Sequence, residues 1–275
     1  MVVQHNMQAT NANRMLGGNV KAVAKNTEKL SSGYKVNRAA DDAAGLSISE
    51  KMRNQIRGIN QAVSNAEDGQ YLIQTAEGNL NEIHSILQRM GELATKAAND
   101  VNESIDRTAI QDEIKQLTSE IDSISSKAAF NGTKLLNGSM ANGKWLQVGA
   151  NAKENMSISI KAVDVSALFG NKNALSGKMA THASAAKAMS MITSAIKEVS
   201  KQRSKLGAIQ NRLDYTINNL ENYSENLTAS ESNIRDTDMA KEMVNYSKNN
   251  ILQQAAQSML AQANQSNQGV LSLLQ

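Results

Sequence analysis

The feature that most constrains this chain is a seam of apolar and small residues recurring at alternating spacings of four and three. The longest run comprises Ile59, Val63, Ala66, Gln70, Ile73, Ala76, Leu80, Ile83, Leu87, Met90 and Ala94, and shorter runs cover residues 16–30, 110–124, 192–227 and 252–273. This spacing is typical of helices packed on other helices, as in coiled coils. It predicts long helices, one of which extends from about Ser47 to Ala97 over roughly 75 Å.

Composition favours such helices over a compact sphere. The chain has no proline and only 3% aromatic residues, so it lacks the strongest helix breaker and most of the large side chains of a globular core. With no cysteine, a disulfide scaffold, a thiolate zinc site and a cysteine nucleophile are excluded. The formal charge of +3 is small and spread along the chain, so no nucleic-acid partner is expected.

One interval, from about residue 129 to residue 175, breaks the helical pattern. It contains the turn-forming pairs Asn131-Gly132, Asn137-Gly138 and Asn142-Gly143. Alternating runs at Trp145–Val148 and Met156–Ile160 predict a β-hairpin. Long helices therefore flank a short β-containing region, and the chain runs out and returns. The predicted fold is mainly α, a long antiparallel helical bundle or coiled coil with a small β-hairpin region.

Both ends of the chain lack charge. Neither Met1–Asn13, with His5 neutral, nor Asn249–Gln275 contains a charged side chain. The many amides of the C-terminal stretch argue against a membrane span, where each would be costly in hydrocarbon. Two such helices leave apolar surface uncovered in one molecule, so we expect them to pack against copies of themselves. A repeated head-to-tail contact that does not close produces a filament.

Several strings of residues resemble the bacterial flagellins, in order along essentially the whole chain. They are Leu30–Gly33 with Asn37–Leu46, Gln61–Gly69 (QAVSNAEDG), Phe130–Leu136 (FNGTKLL), Leu146–Asn151 (LQVGAN) and Ser232–Met239 (SNIRDTDM). The resemblance implies a secreted structural subunit that self-assembles into the extracellular flagellar filament for motility. It also implies an export chaperone that covers the C-terminal helix before secretion.

The short middle of the chain is similar to that of a minimal, two-domain flagellin. The implied domains are residues 1–44 and 231–275, the two halves of an inner filament-core domain whose termini pair as a coiled coil in the filament, and residues 45–230, an outer helical domain with the β-hairpin region. The side chains expected to pack in the filament core are Leu16, Val20, Val23, Leu30, Leu252, Met259, Val270, Leu273 and Leu274.

The same resemblance makes Arg38, Asp41 and Asp42 an inter-domain connector that contacts neighbouring subunits. Taken alone, Asp41-Asp42 suggests an acidic metal or catalytic site, but adjacent carboxylates point in different directions on a helix and no histidine is near. The simpler interpretation is that Asp41 or Asp42 caps a helix and pairs with Arg38 or Arg53.

Gln88, Arg89 and Leu93, with Glu113 on the next helix, match the site at which flagellins of this type bind the flagellin-sensing Toll-like receptor. Without the resemblance, these residues suggest a solvated helix face beside an apolar seam. Gly91 and Leu117 stand where receptor-stimulating relatives often carry arginine. The resemblance therefore implies that the monomer is a ligand of this receptor, with weakened binding.

No pattern indicates catalysis, a cofactor or a metal site. His5, His84 and His182 are scattered, and there is no glycine-rich phosphate loop or nucleophile elbow. Two alternatives to a filament subunit remain. One is a hook–filament junction protein with the same terminal helices. The other is a membrane-active secreted translocator that uses its amphipathic ends.

Overall fold

The computed structural model describes residues 6–171 and 173–273, with side chains up to residue 266. Within these residues the helices are α1 (Met7–Ser32), α2 (Ala43–Ala97), α3 (Ser104–Lys127), α4 (Val165–Phe169), α5 (His182–Arg235) and α6 (Met239–Leu273). The strands are β1 (Ala129–Phe130), β2 (Thr133–Lys134), β3 (Lys144–Gln147) and β4 (Asn155–Ile158). The predicted fold class, mainly α with a small β-hairpin region, is confirmed.

The chain divides into two compact units. One comprises Met1–Ile56 with Glu225–Gln275, and the other comprises Arg57–Ser224. We call them the terminal unit and the central unit. Helices α2 and α5 contribute residues to both, and α1 packs along α6 within the terminal unit. Across residues 6–171 and 173–273, none of the helices combines the length and apolar character needed to cross a bilayer.

In the central unit, α2 and α5 run antiparallel. Asn60 contacts Ser224 and Glu77 contacts Arg203, so residue numbers fall on one helix as they rise on the other. With α3 and the connecting segments they enclose one apolar core that extends from Ala66 to Leu213 along the sequence. The core-facing side chains of α2 include Ile73, Leu80 and Leu87, members of the seam that predicted the helix.

Two hairpins follow α3. The β1–β2 pair turns at Asn131 (φ 45°) and Gly132 (φ 75°), the left-handed conformations that an Asn-Gly hairpin turn requires. The predicted hairpin is present as β3–β4, with Trp145 opposite Ser157. It lies against α2, where the Asn65 side chain donates to the Gln147 carbonyl at 3.1 Å.

Candidate functional site

The terminal helix pair of α1 and α6 is the first candidate surface. The Asn6 side chain accepts a hydrogen bond from the Ala9 N–H at 2.9 Å and so caps α1. Its amide group donates to the Ala263 carbonyl of α6 at 3.0 Å. Between the two helices lies a groove of about 550 Å³ whose lining includes Met15 and Met259. Both methionines are exposed, so apolar surface remains open along the pair.

Burial differs sharply between the two units. Among the described side chains of the terminal unit, Val36 is the one buried hydrophobic residue, whereas every other buried hydrophobic residue lies between Ile59 and Leu213. Up to residue 266, where side chains are described, the helix pair therefore has contacts but no buried apolar core of its own. A helix pair of this kind derives little stability from apolar burial unless something else covers it.

Eight of the nine predicted filament-core residues lie on this pair. Val20, Leu252 and Met259 are exposed, and Leu16, Val23 and Leu30 are half-buried. Val270 and Leu273 belong to α6, but their side chains are not among those described, and Leu274 lies outside the described residues. All six side chains that can be assessed thus keep surface available for a further partner.

The connector between α1 and α2 is organised by its two aspartates. Asp42 accepts the Gly45 N–H at 2.9 Å, so the predicted helix cap is confirmed at the start of α2. The predicted pairing with Arg38 or Arg53 is wrong. Asp41 instead forms an ion pair with Lys25 of α1 at 2.8 Å, and Arg38 pairs with Glu28 at 2.9 Å. The cause is that the chain folds back onto the last turns of α1, which bear the partner charges.

The connector also contacts the end of α5 and the start of α6, a contact that the sequence did not predict. The Lys35 N–H donates to the Arg235 carbonyl at 2.6 Å, and the Thr237 N–H donates to the Gly33 carbonyl at 2.9 Å. The Arg235 guanidinium stacks over the Tyr34 ring, 4.5 Å from its centroid, and pairs with Glu50 at 3.0 Å. The segment between α1 and α2 is therefore hydrogen-bonded to the junction between α5 and α6.

The predicted receptor patch lies on α2 and α3 of the central unit. Arg89 donates from Nε and Nη2 to Glu113 Oε1 at 3.1 and 3.0 Å, and from Nη1 to Glu92 at 3.1 Å. These bonds, first to Glu113 and then to Glu92, raise the pKa of Arg89 above its ordinary value. Gln88 is exposed and contacts His84, whereas Leu93 is only 4% exposed and belongs to the core beneath the patch.

Within the described residues, no group of three or more acidic or histidine side chains is placed to hold a metal ion.

Sequence comparison identifies the family. The profile of the bacterial flagellin N-terminal helical region matches residues 3–141, and that of the C-terminal helical region matches residues 189–274. The chain belongs to the bacterial flagellin family. A flagellin from Halalkalibacterium halodurans is 52% identical over 275 residues, and one from Bacillus subtilis is 50% identical over 304 residues. Both matches cover all of this chain and all of the relative.

A solved flagellin structure agrees with this membership. The crystal structure of Bacillus cereus flagellin matches with a TM-score of 0.50 and 28% identity, and covers 57% of this chain and 88% of that one. Membership in the flagellins makes the chain a structural protein of the flagellar filament rather than an enzyme, and makes its place the extracellular flagellum.

Proposed function

We propose that this flagellin polymerises by burying the α1–α6 helix pair between subunits. The observation that supports this most directly is the near-absence of buried hydrophobic residues among the described side chains of the terminal unit, residues 6–56 and 225–266, where Val36 is the one example. The last charged residue of α6 is Lys248, so the rest of the helix offers neighbours amides and apolar groups without unpaired charge. Neighbouring helix pairs would supply the contacts that one pair lacks.

The positions that we propose for the parts of the chain in the filament follow the predicted domains. Residues 1–44 and 231–275 would line the filament core, with their ends paired as a coiled coil, while residues 45–230 form the outer part. Arg38, Asp41 and Asp42 would connect the two and contact neighbouring subunits. Before assembly, α1 and α6 would be only weakly ordered, because their pairing buries too little apolar surface to offset the lost conformational entropy. An export chaperone at the C-terminal helix would cover that surface before secretion.

Leu252→Asp tests the assembly proposal. Leu252 is exposed on α6, so the substitution should leave the central unit folded, while a charge buried without a partner between subunits should abolish polymerisation. Leu252→Met is the matched control and should polymerise normally. The measurements are sedimentation or electron microscopy of filaments, with circular dichroism of the monomer. Normal filaments from Leu252→Asp would refute burial of α6 in the polymer.

We also propose that the monomer is a ligand of the flagellin-sensing Toll-like receptor through Gln88, Arg89 and Glu113, with Leu93 supporting them from below. A guanidinium held by two carboxylates over an apolar layer has the composition of a binding hot spot. Gly91 provides no side chain where stimulating relatives often carry arginine, so weaker binding is expected.

Arg89→Ala should lower the affinity of the monomer for the receptor ectodomain by at least about tenfold, the effect of losing a hot-spot arginine. Arg212→Ala, which removes an exposed arginine from α5, is the control and should bind as the unaltered protein does. Surface plasmon resonance on the two monomers measures the difference. Equal affinity of Arg89→Ala and Arg212→Ala would remove this patch from the proposal.

A further inference from the structure

A groove in the central unit has no role in the contacts described so far. It has a volume of about 560 Å³ and lies between residues 161–168 and helix α5. Its floor is apolar and includes Val163, Leu168 and Val199. Its rim carries three lysines and one carboxylate: Lys161, Lys201, Lys205 and Glu198. We call it the lysine-rimmed groove.

One wall of the groove is held in place by hydrogen bonds. Lys205 donates from Nζ to the Ser159 hydroxyl at 2.5 Å, and the buried Gln202 side chain is directed at the Ser159 carbonyl at 3.4 Å. Lys201 and Lys161 are exposed on the same rim. The groove therefore presents positive charge around an apolar floor before any partner arrives.

The turn between α2 and α3 carries charge opposite to that of the groove rim, beside exposed apolar side chains. Val101 and Ile105 are 84% and 75% exposed, although both are aliphatic. Three exposed acids, Asp100, Glu103 and Asp106, lie next to them in the sequence. We call residues 98–106 the acidic tip. An exposed apolar pair flanked by acids is the complement of an apolar floor flanked by lysines.

The acidic tip is also held in a defined shape. Arg107, whose side chain is 11% exposed, donates to the carbonyls of Asn99 at 3.2 Å and Asn102 at 3.3 Å and pairs with Asp100 at 3.0 Å. Binding would therefore not require the loop to be ordered first, which removes a common cost of association.

The tip cannot reach the groove of its own molecule. Arg107 donates to the Ala180 carbonyl at 3.3 Å, so the tip lies beside the start of α5, which begins at His182. Glu198 and Lys205 lie 16 and 23 residues further along that helix, roughly 25–35 Å away. A short turn anchored at the start of the helix does not span this distance, so a tip in the groove must come from another copy.

We propose that the acidic tip of one copy docks into the lysine-rimmed groove of a second copy. The contact joins two different surfaces, so each molecule keeps one of them free and the contact can repeat without closing. It would offset neighbouring copies by roughly 25–35 Å along α5. The proposal rests on the polymerisation proposed above but concerns the central unit alone, and the terminal helix pair plays no part in it.

Charge reversal tests the contact. Lys201→Glu/Lys205→Glu and, separately, Glu103→Lys/Asp106→Lys should each raise the critical concentration for polymerisation by about tenfold or more at low salt, because like charges would face each other. The quadruple variant restores opposite charges and should polymerise near the unaltered level. Lys115→Glu/Lys153→Glu makes the same change in net charge as the Lys201/Lys205 double variant, but outside the groove, and should have little effect. If both double variants polymerise like this control, or if the quadruple variant gains nothing over them, the docking contact is wrong.

Cysteine pairs provide a second readout that does not depend on polymer yield. Since the chain has no native cysteine, Val101→Cys and Leu168→Cys proteins can be mixed and oxidised during assembly, and a disulfide can form only between copies. A mixed dimer is expected, and Val101→Cys with Ser194→Cys, on α5 outside the groove, should give none.

Filaments that form normally but give no Val101–Leu168 dimer would overturn the contact while leaving burial of the terminal helices intact. Loss of filaments from Leu252→Asp, by contrast, bears on the terminal helices alone.

Discussion

At the scale of single residues, the connector after α1 depends on one carboxylate. Asp41 pairs with Lys25 at 2.8 Å through Oδ1, and its Oδ2 accepts the backbone N–H of Arg38 at 3.2 Å. The hydrogen bond from Lys25, followed by that from the Arg38 backbone, lowers the pKa of Asp41 below its ordinary 3.8. The same hydrogen bond raises the pKa of Lys25 above its ordinary 10.5.

The directions of these two pKa shifts determine how the stability of the connector depends on pH. A carboxyl group with a lowered pKa stabilises the folded form above its unfolded pKa, so this stabilisation is lost as pH falls below about 3.8. An amine with a raised pKa stabilises below its unfolded pKa, so that contribution is lost as pH rises beyond 10.5. The connector should keep the full contribution of this pair at every pH between these limits.

We predict that hydrogen-exchange protection of the Arg38 amide falls in acid as Asp41 becomes protonated. Asp41→Ala should show the reduced protection already at neutral pH and no further loss from this group in acid. Asp42→Ala, which removes the α2 cap but not the Lys25 pair, serves as the comparison and should retain the Arg38 response. Equal protection of the Arg38 amide in Asp41→Ala and the unaltered protein at neutral pH would contradict the account.

At the scale of elements, the β3–β4 hairpin is seated on α2 through a glycine. A Cβ added at Gly69 would lie 2.5 Å from Leu146 Cδ2, so the hairpin side chain occupies the space that only glycine leaves. Gly78, nine residues further along the same helix, has nothing within 4 Å of such a Cβ. The two positions separate the effect of packing from that of helix propensity.

Gly69→Ala should therefore destabilise the central unit and Gly78→Ala should stabilise it. Displacing Leu146 is expected to cost about 1–3 kcal/mol of unfolding free energy, partly offset by the better helix propensity of alanine. At Gly78 the propensity gain of about 0.5–1 kcal/mol acts alone. Urea unfolding followed by circular dichroism measures both. A gain in stability from Gly69→Ala would show that the Leu146 side chain moves aside at little cost, and the predicted overpacking would be wrong.

The sequence predicted the helices and strands better than it predicted the contacts between them. The four-and-three seams located all five long helices, because each seam reports its own helix regardless of its partner. The alternation at Trp145–Val148 located one hairpin, but strands as short as Ala129–Phe130 and a helix as short as Val165–Phe169 are below the length at which periodicity is visible. The Lys25–Asp41 pair and the burial of Leu93 depend on how helices return onto each other, which no local pattern contains.

At the scale of the whole molecule, stability and assembly are assigned to different residues. Leu80 lies in the central core and is fully buried, whereas Leu16 on α1 is only half-buried. The central unit buries its apolar side chains within one molecule, whereas the described side chains of the terminal helices keep apolar surface exposed, which the assembly proposed above would cover. This separation leads to substitutions with opposite consequences.

Leu80→Ala should lower the unfolding free energy of the monomer by about 2–5 kcal/mol, the cost of a cavity in a packed core. Leu16→Ala should cost the monomer less than about 1 kcal/mol, because its side chain is already partly in water and its helix contributes little to the core. The order should reverse for assembly. At temperatures where both monomers are folded, Leu16→Ala should raise the critical concentration for filament formation more than Leu80→Ala does. Urea unfolding of the monomer and sedimentation of filaments at several protein concentrations measure the two quantities. A Leu16→Ala monomer as unstable as Leu80→Ala would show that α1 belongs to the folded core of the single molecule, and burial of the helix pair between subunits could not then drive polymerisation.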